Sequence, residues 1–156
     1  MRRRRAEKRQ ILPDPKYKNT LVAKFINMVM IKGKRSKSEA IVYGALDILT
    51  KKTGNDNSME VFQKAIDHAR PLLEVRPRRI GGATYQVPME IPPSRSYFMA
   101  MMWLRDFART KKGKPMREKL ADELLDAYNK TGSAIKKRDD THRMAEANKA
   151  FAHYKW

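Results

Sequence analysis

Residues 84–91 alternate in character, in a chain whose other apolar residues mostly recur at helical spacing. Tyr85, Val87, Met89 and Ile91 fall on one face and Thr84, Gln86, Pro88 and Glu90 on the other, which is the period of a strand. Just before them, Leu73, Val75 and Pro77 alternate with Glu74, Arg76 and Arg78. Gly81 and Gly82 stand between the two runs. Glycine accepts the positive φ that a tight hairpin turn demands, so residues 73–91 are expected to form a β-hairpin. Each run holds a proline, Pro77 or Pro88. Proline cannot donate to a ladder, which confines both strands to an edge or an isolated ribbon. No other stretch reads as strand. The chain is thereby held to a helical core with one two-stranded arm. Such an arm is marginal alone, so it must lean on the core or on a partner. Arg76, Arg78 and Arg79 gather toward its tip, with Tyr85 across the turn. That is the equipment of a ribbon that reaches into nucleic acid.

The helices follow from apolar stripes and end signals. Residues 20–31 carry Leu21, Phe25 and Met28 beside Val22, Ile26 and Val29. Asn19 or Thr20 can cap this helix and Gly33 ends it. Ser36 and Glu39 have the spacing of a capping box. They open a second helix, striped by Val42, Ala45, Leu46 and Leu49 and stopped at Gly54. Asn57 and Glu60 start a third, striped by Phe62, Ala65, Ile66 and Ala69 and closed by Pro71. Residues 95–110 form a fourth. Its Tyr97, Phe98, Met101, Met102, Trp103, Leu104 and Phe107 occupy most of the circumference, as expected of a central, buried helix. Pro115 suits the first position of a fifth, lined by Met116, Leu120, Leu124 and Tyr128 and ended by Gly132. Ser133 caps a sixth, which carries Lys136, Lys137, Arg138 and Arg143. For the closing aromatics Phe151, Tyr154 and Trp156, docking on the body and docking on a partner stand equal. The expected fold is mainly α: a six-helix bundle with one protruding two-stranded β-hairpin between the third and fourth helices. The expected organisation is a basic extended arm over residues 1–18 and a single helical domain over 19–156.

The chain has 156 residues, a net charge of +18 and no cysteine. Its length is enough for one core, and a disulfide framework or thiolate metal site is excluded. The charge is unevenly placed. Residues 1–38 hold thirteen basic against two acidic residues, and residues 71–117 hold ten against three. Residues 39–70 and 118–156 are nearly neutral. Clustered excess of this kind is the footprint of a polyanion-binding surface. The basic segments are the arm with Arg2, Arg3, Arg4, Arg5, Lys8 and Arg9, and the loop with Lys34, Arg35 and Lys37. The turn with Lys111, Lys112 and Lys114 is a further one. The longest apolar run, from Tyr97 to Leu104, is too short to span a bilayer.

Catalytic and metal signals are weak. Of the histidines His68, His142 and His153, His142 lies close in sequence to Asp139 and Asp140, but no cysteine and no second spaced histidine completes a zinc site. Gly113-Lys114-Pro115 lacks the preceding glycine and the hydroxyl residue of a phosphate-binding loop. No serine sits in a nucleophile elbow. No enzyme, no cofactor and no metal is expected.

Two blocks resemble a known family, the bacterial-type small-subunit ribosomal protein seven. The first is Leu73-Glu-Val-Arg76, Arg78-Arg79-Ile-Gly-Gly-Ala83 and Tyr85-Gln-Val-Pro-Met-Glu90; the second runs from Lys136 to Trp156. Ile11-Leu-Pro-Asp-Pro15 and Lys52-Thr-Gly54 also fit. The resemblance implies a helical body with a β-ribbon that binds small-subunit ribosomal RNA and nucleates assembly of the subunit head. It implies a hairpin near the exit-site tRNA and the messenger RNA path, and small-subunit proteins nine and eleven as neighbours of a monomer on the cytoplasmic ribosome. RNA contacts carry over to Arg2–Arg5, Lys8, Arg9, Lys34, Arg35, Lys37, Arg76, Lys111, Lys112, Lys114, Lys136, Lys137, Arg138 and Arg143. Hairpin positions near tRNA and messenger are Arg78, Arg79, Gly81, Gly82 and Tyr85. The chain departs from the family pattern with Thr84 in the turn, Met102 before Trp103, and a more apolar stretch over residues 94–101.

Two other readings use the same residues. An architectural DNA-binding protein with a basic β-ribbon would need two arms and hence a tight dimer, and this chain carries a full core of its own. An RNA chaperone or translational repressor acting off the ribosome would use the same surface as the ribosomal role.

Overall fold

The computed structural model describes residue 6, residues 9–55 and residues 57–154 of the chain. Six α-helices and one hairpin appear in the expected order. They are α1 (Thr20–Val29), α2 (Arg35–Thr53), α3 (Ser58–Ala69), β1 (Leu73–Ile80), β2 (Ala83–Glu90), α4 (Pro93–Thr110), α5 (Met116–Tyr128) and α6 (Gly132–Ala147). A 3-10 helix, Lys149–Tyr154, follows α6.

Local chemistry explains most boundaries. Asn19 caps α1, its side chain accepting from Leu21 N at 2.7 Å, and Asn57 caps α3 by accepting from Glu60 N at 3.2 Å. Gly54 ends α2 in the left-handed region at φ 64°. The expected capping box at Ser36 does not form. Helix α2 begins at Arg35 with no side-chain cap. Glu39 instead binds Arg35 Nε at 2.8 Å, and Ser38 Oγ, two residues past the expected cap, donates to Ile26 O at 2.6 Å. The ion pair engages the Glu39 carboxylate that the capping box would have used.

The core is helix on helix. Phe25 of α1 and Phe62 of α3 are fully buried with ring centroids 5.5 Å apart. Each such side chain contributes about 1.5–3 kcal/mol by leaving water. Helix α5 packs on α2, α3, α4 and α6. Leu120 and Leu124 fill the space while Ala121 and Ala127 let its neighbours approach. Helix α4 also contacts four helices, but it is not buried all round. Ala100, Met101, Trp103, Leu104 and Ala108 are inside, whereas Phe98 is 50% exposed. Phe98 faces a groove between α4 and α1 that Ile11, Met28, Met30 and Tyr97 also line.

The ribbon is antiparallel, in a register from Leu73↔Glu90 to Ile80↔Ala83. Gly81 and Gly82 form the turn at φ 57° and 88°, the geometry in which both central residues have positive φ. The register puts Glu74, Arg76 and Arg78 opposite Met89, Val87 and Tyr85. Opposed residues share a face, so the apolar residues of β1 lie on the other face of the ribbon from those of β2. Both faces need cover, and both α6 and the 3-10 helix pack against the hairpin.

Candidate nucleic-acid interface

Arg2, Arg3, Arg4, Arg5 and Lys8 lie outside the described residues; Arg9 is exposed. From Asp14 the arm is tied down. Asp14 is buried, accepts from Lys16 N and Tyr17 N at 3.1 Å each, and accepts from Tyr43 Oη at 2.7 Å. Burial, then the bond to Asp14, pushes the Tyr43 phenol up to about 12. Tyr17 packs on Tyr43 at 5.8 Å, and Lys16 Nζ stands 5.1 Å from both ring centres. The last residues of the arm are thus fastened to α2.

The α1–α2 loop turns on Lys32 (φ 52°) and Gly33 (φ 73°). Lys32, Lys34 and Lys37 line one depression, and all three are exposed. Lys34 and Lys37 form no ion pair with a described residue, whereas Arg35 is held by Glu39.

The α4–α5 turn splits the same way. Lys111 Nζ lies 2.8 Å from Glu123 Oε2 and 3.0 Å from Asp126 Oδ2. Burial opposes the charge of Lys111, but these two carboxylates outweigh it and raise its pKa above 10.5. Glu123 is fully buried, and its other oxygen accepts from Ala134 N at 3.2 Å. It therefore caps α6 from a different helix, where Ser133 had been expected to act; Thr131 is the N-cap residue and supplies no side-chain cap. Lys114 binds Asp122 at 3.1 Å, which Lys52 also binds. Burial of Asp122 opposes its ionisation, yet the two lysines lower its pKa below 3.8. Lys112 is exposed and forms no ion pair with a described residue.

On α6, Lys136 and Lys137 are exposed and likewise form no ion pair with a described residue. Arg138 donates to His68 O at the end of α3 and binds Asp139, while Arg143 lies 3.8 Å from Asp140. Lys137 shares a groove with Val75 and Gln86 of the hairpin. At the hairpin root, buried Glu74 binds Arg76 and, at 2.9 Å, Arg95. Arg79 is exposed and Arg78, opposite Tyr85, is half-buried. Tyr85 packs on Phe151 and Tyr154, ring centres 5.4 and 5.2 Å away, so these two closing aromatics dock on the protein itself; Trp156 lies outside the described residues.

Arg105 and Arg109 escaped the sequence reading. Arg105 Nη1 donates to Met28 O at 3.4 Å and Arg109 Nη2 to Val29 O at 3.2 Å. They satisfy the open carbonyls at the end of α1. This brings the end of α4 to the end of α1, so the basic turns that follow each helix start from the same end of the bundle. Glu123 joins the start of α6 to Lys111 as well. The signal available for Glu123 was an acid on the apolar stripe beside Leu120 and Leu124; for the arginines there was none.

Fold and charge define a class: a basic helical domain with a β-arm. No group of three or more His, Cys, Asp or Glu gathers among the described residues, and no described helix is long and apolar enough to cross a membrane. The family described as Ribosomal protein S7p/S5e matches residues 1–149. The chain is 60% identical, over the full length of both chains, to small ribosomal subunit protein uS7 of Fervidobacterium nodosum and to that of Thermotoga maritima. It is 58% identical to the same protein of Thermodesulfovibrio yellowstonii, over 99% of each chain. The chain belongs to the ribosomal protein S7p/S5e family: it is a structural protein of the small ribosomal subunit, located on the ribosome, and not an enzyme.

Proposed function

We propose that the chain is a primary binder of small-subunit ribosomal RNA that nucleates assembly of the subunit head. The observation that carries this reading is the division of the cations. Arg35, Arg76, Lys111, Lys114, Arg138 and Arg143 have carboxylate partners. Lys34, Lys37, Lys112, Lys136 and Lys137 are exposed and have none among the described residues. The paired set shapes the loops, and the unpaired set, with Arg9, Arg79 and the arm before it, meets phosphate. Sequence preference comes from RNA shape and unpaired bases. The hairpin, with Arg78, Arg79, Gly81 and Gly82, reaches toward exit-site tRNA and the messenger path, and small-subunit proteins nine and eleven are the protein neighbours.

Filter binding to a head-domain RNA junction and to a random duplex, across a salt series, tests this. With six to ten phosphate contacts the affinity falls about 10³–10⁵-fold between 50 and 200 mM salt, and the junction stays preferred throughout. Equal affinity for the two RNAs would sink the reading. A dimer in sizing experiments, together with duplex bending, would favour an architectural DNA-binding protein instead.

A further inference from the structure

The hairpin is fastened at its root and again near its tip. At the root, Ile91 N donates to Leu72 O at 3.0 Å, Leu72 N donates to His142 Nε2 at 2.9 Å, and Glu74 binds Arg95. The ladder then runs outward to the pair Ile80↔Ala83 at the turn. Two strands alone do not hold such a ribbon in one direction. Near the turn, Tyr85 meets Phe151 and Tyr154 with rings tilted by 57° and 43°, within the separations at which tilted aromatic pairs attract. Both rings belong to the 3-10 helix, which continues from α6: Asn148 N donates to Met144 O at 3.2 Å and Phe151 N to Asn148 O at 3.0 Å. Helix α6 is in turn fixed to the bundle by Glu123 of α5, which caps its start, and by its own Arg138, which donates to His68 O of α3. A continuous support therefore runs from the core through α6 and the 3-10 helix to the outer part of β2.

We propose that Phe151 and Tyr154 are positioning residues that set the direction of the hairpin through Tyr85. The proposal rests on the reading of the hairpin as a reaching element. Tyr85 stands opposite Arg78, one pair inward from Arg79↔Thr84, so the clamp holds the part of the ribbon that carries the two arginines. The Tyr85 ring is occupied by the protein's own aromatics, and its hydroxyl is not what the clamp uses. Removing the rings frees the outer ribbon while leaving the root bonds and the core in place.

Hydrogen exchange on the full chain reads this directly. The Phe151→Ala/Tyr154→Ala double variant and Tyr85→Ala are each expected to speed exchange over residues 76–86 about tenfold, with the amides of α3 and α5 unchanged. Tyr85→Phe keeps the ring and is expected to match the parent. Unchanged exchange in the double variant, or acceleration spread equally over all helices, overturns the clamp. Footprinting on head RNA supplies the second arm: clamp variants are expected to keep the salt slope of binding and lose protection where the hairpin lies. A parent-like footprint from a loosened hairpin overturns the positioning role. Absence of any head-RNA preference in the parent protein would fail the RNA reading alone and leave the exchange result standing.

Discussion

Glu123 is fully buried, and Lys111 is its ionic partner. A buried carboxylate without its partner is costly, so Lys111→Ala is expected to destabilise the fold by about 3–5 kcal/mol in urea unfolding at neutral pH. Lys112→Ala, one residue along, is expected to change stability by less than about 0.5 kcal/mol while lowering the salt slope of RNA binding by about one. Equal stability losses at the two positions would refute the division between structural and phosphate-facing lysines. Tyr43 offers a second measurement. Its phenol is pushed from 10.0 up to about 12. The neutral form is favoured in the folded state, so its contribution is whole below pH 10 and is lost as the pH rises through about 12. Tyr43→Phe is expected to remove a tyrosinate absorbance change near pH 12; persistence of that change would assign it elsewhere.

The hairpin depends on a turn and a root. Gly82 has φ 88° with nothing within 4 Å of an added Cβ. Gly82→Ala therefore meets no neighbour, and its cost is conformational, about 1–2 kcal/mol. It is expected as faster exchange within the ribbon. At the root, His142 accepts from Leu72 N through Nε2, which requires that nitrogen to be unprotonated. Burial, and then the charge of Arg138, lowers the His142 pKa below 6.5. A depressed value means that the contribution is whole above pH 6.5 and is lost as the pH falls through the lowered value. Exchange at the Leu72 amide, corrected for its intrinsic rate, is expected to quicken as the pH is taken from neutral down through the lowered His142 value. No such change would show that the bond does not protect that amide.

At the scale of the molecule, the net charge of +18 is arranged rather than spread. Carboxylates on α2, α5 and α6 pair selected cations; apart from the pair to buried Glu123, these are individually weak, but they set loop shape. Deletion of residues 1–9 is expected to lower affinity for head RNA and flatten its salt dependence, since six of these residues are basic. An unchanged slope would remove the arm from the interface.

The sequence by itself determined the element order, the hairpin and the family. Gly81-Gly82 between two alternating runs permits little else, and helical stripes ended by Gly54 or opened by Asn19 and Asn57 depend only on local backbone chemistry. Most of the basic segments were equally visible, because charge is a property of composition. Which cations face solvent was not visible. Lys111 and Lys112 are neighbours of one chemical type, and only the packing of α5 puts Glu123 within reach of the first. Arg138 is an interhelical tie because α3 ends beside α6. Tyr85 is a buttress because the chain's last aromatics fold back onto it. Phe98 is half exposed because it faces the open groove between α4 and α1. Those outcomes turn on contacts between residues far apart in the chain, which local propensity and periodicity do not encode.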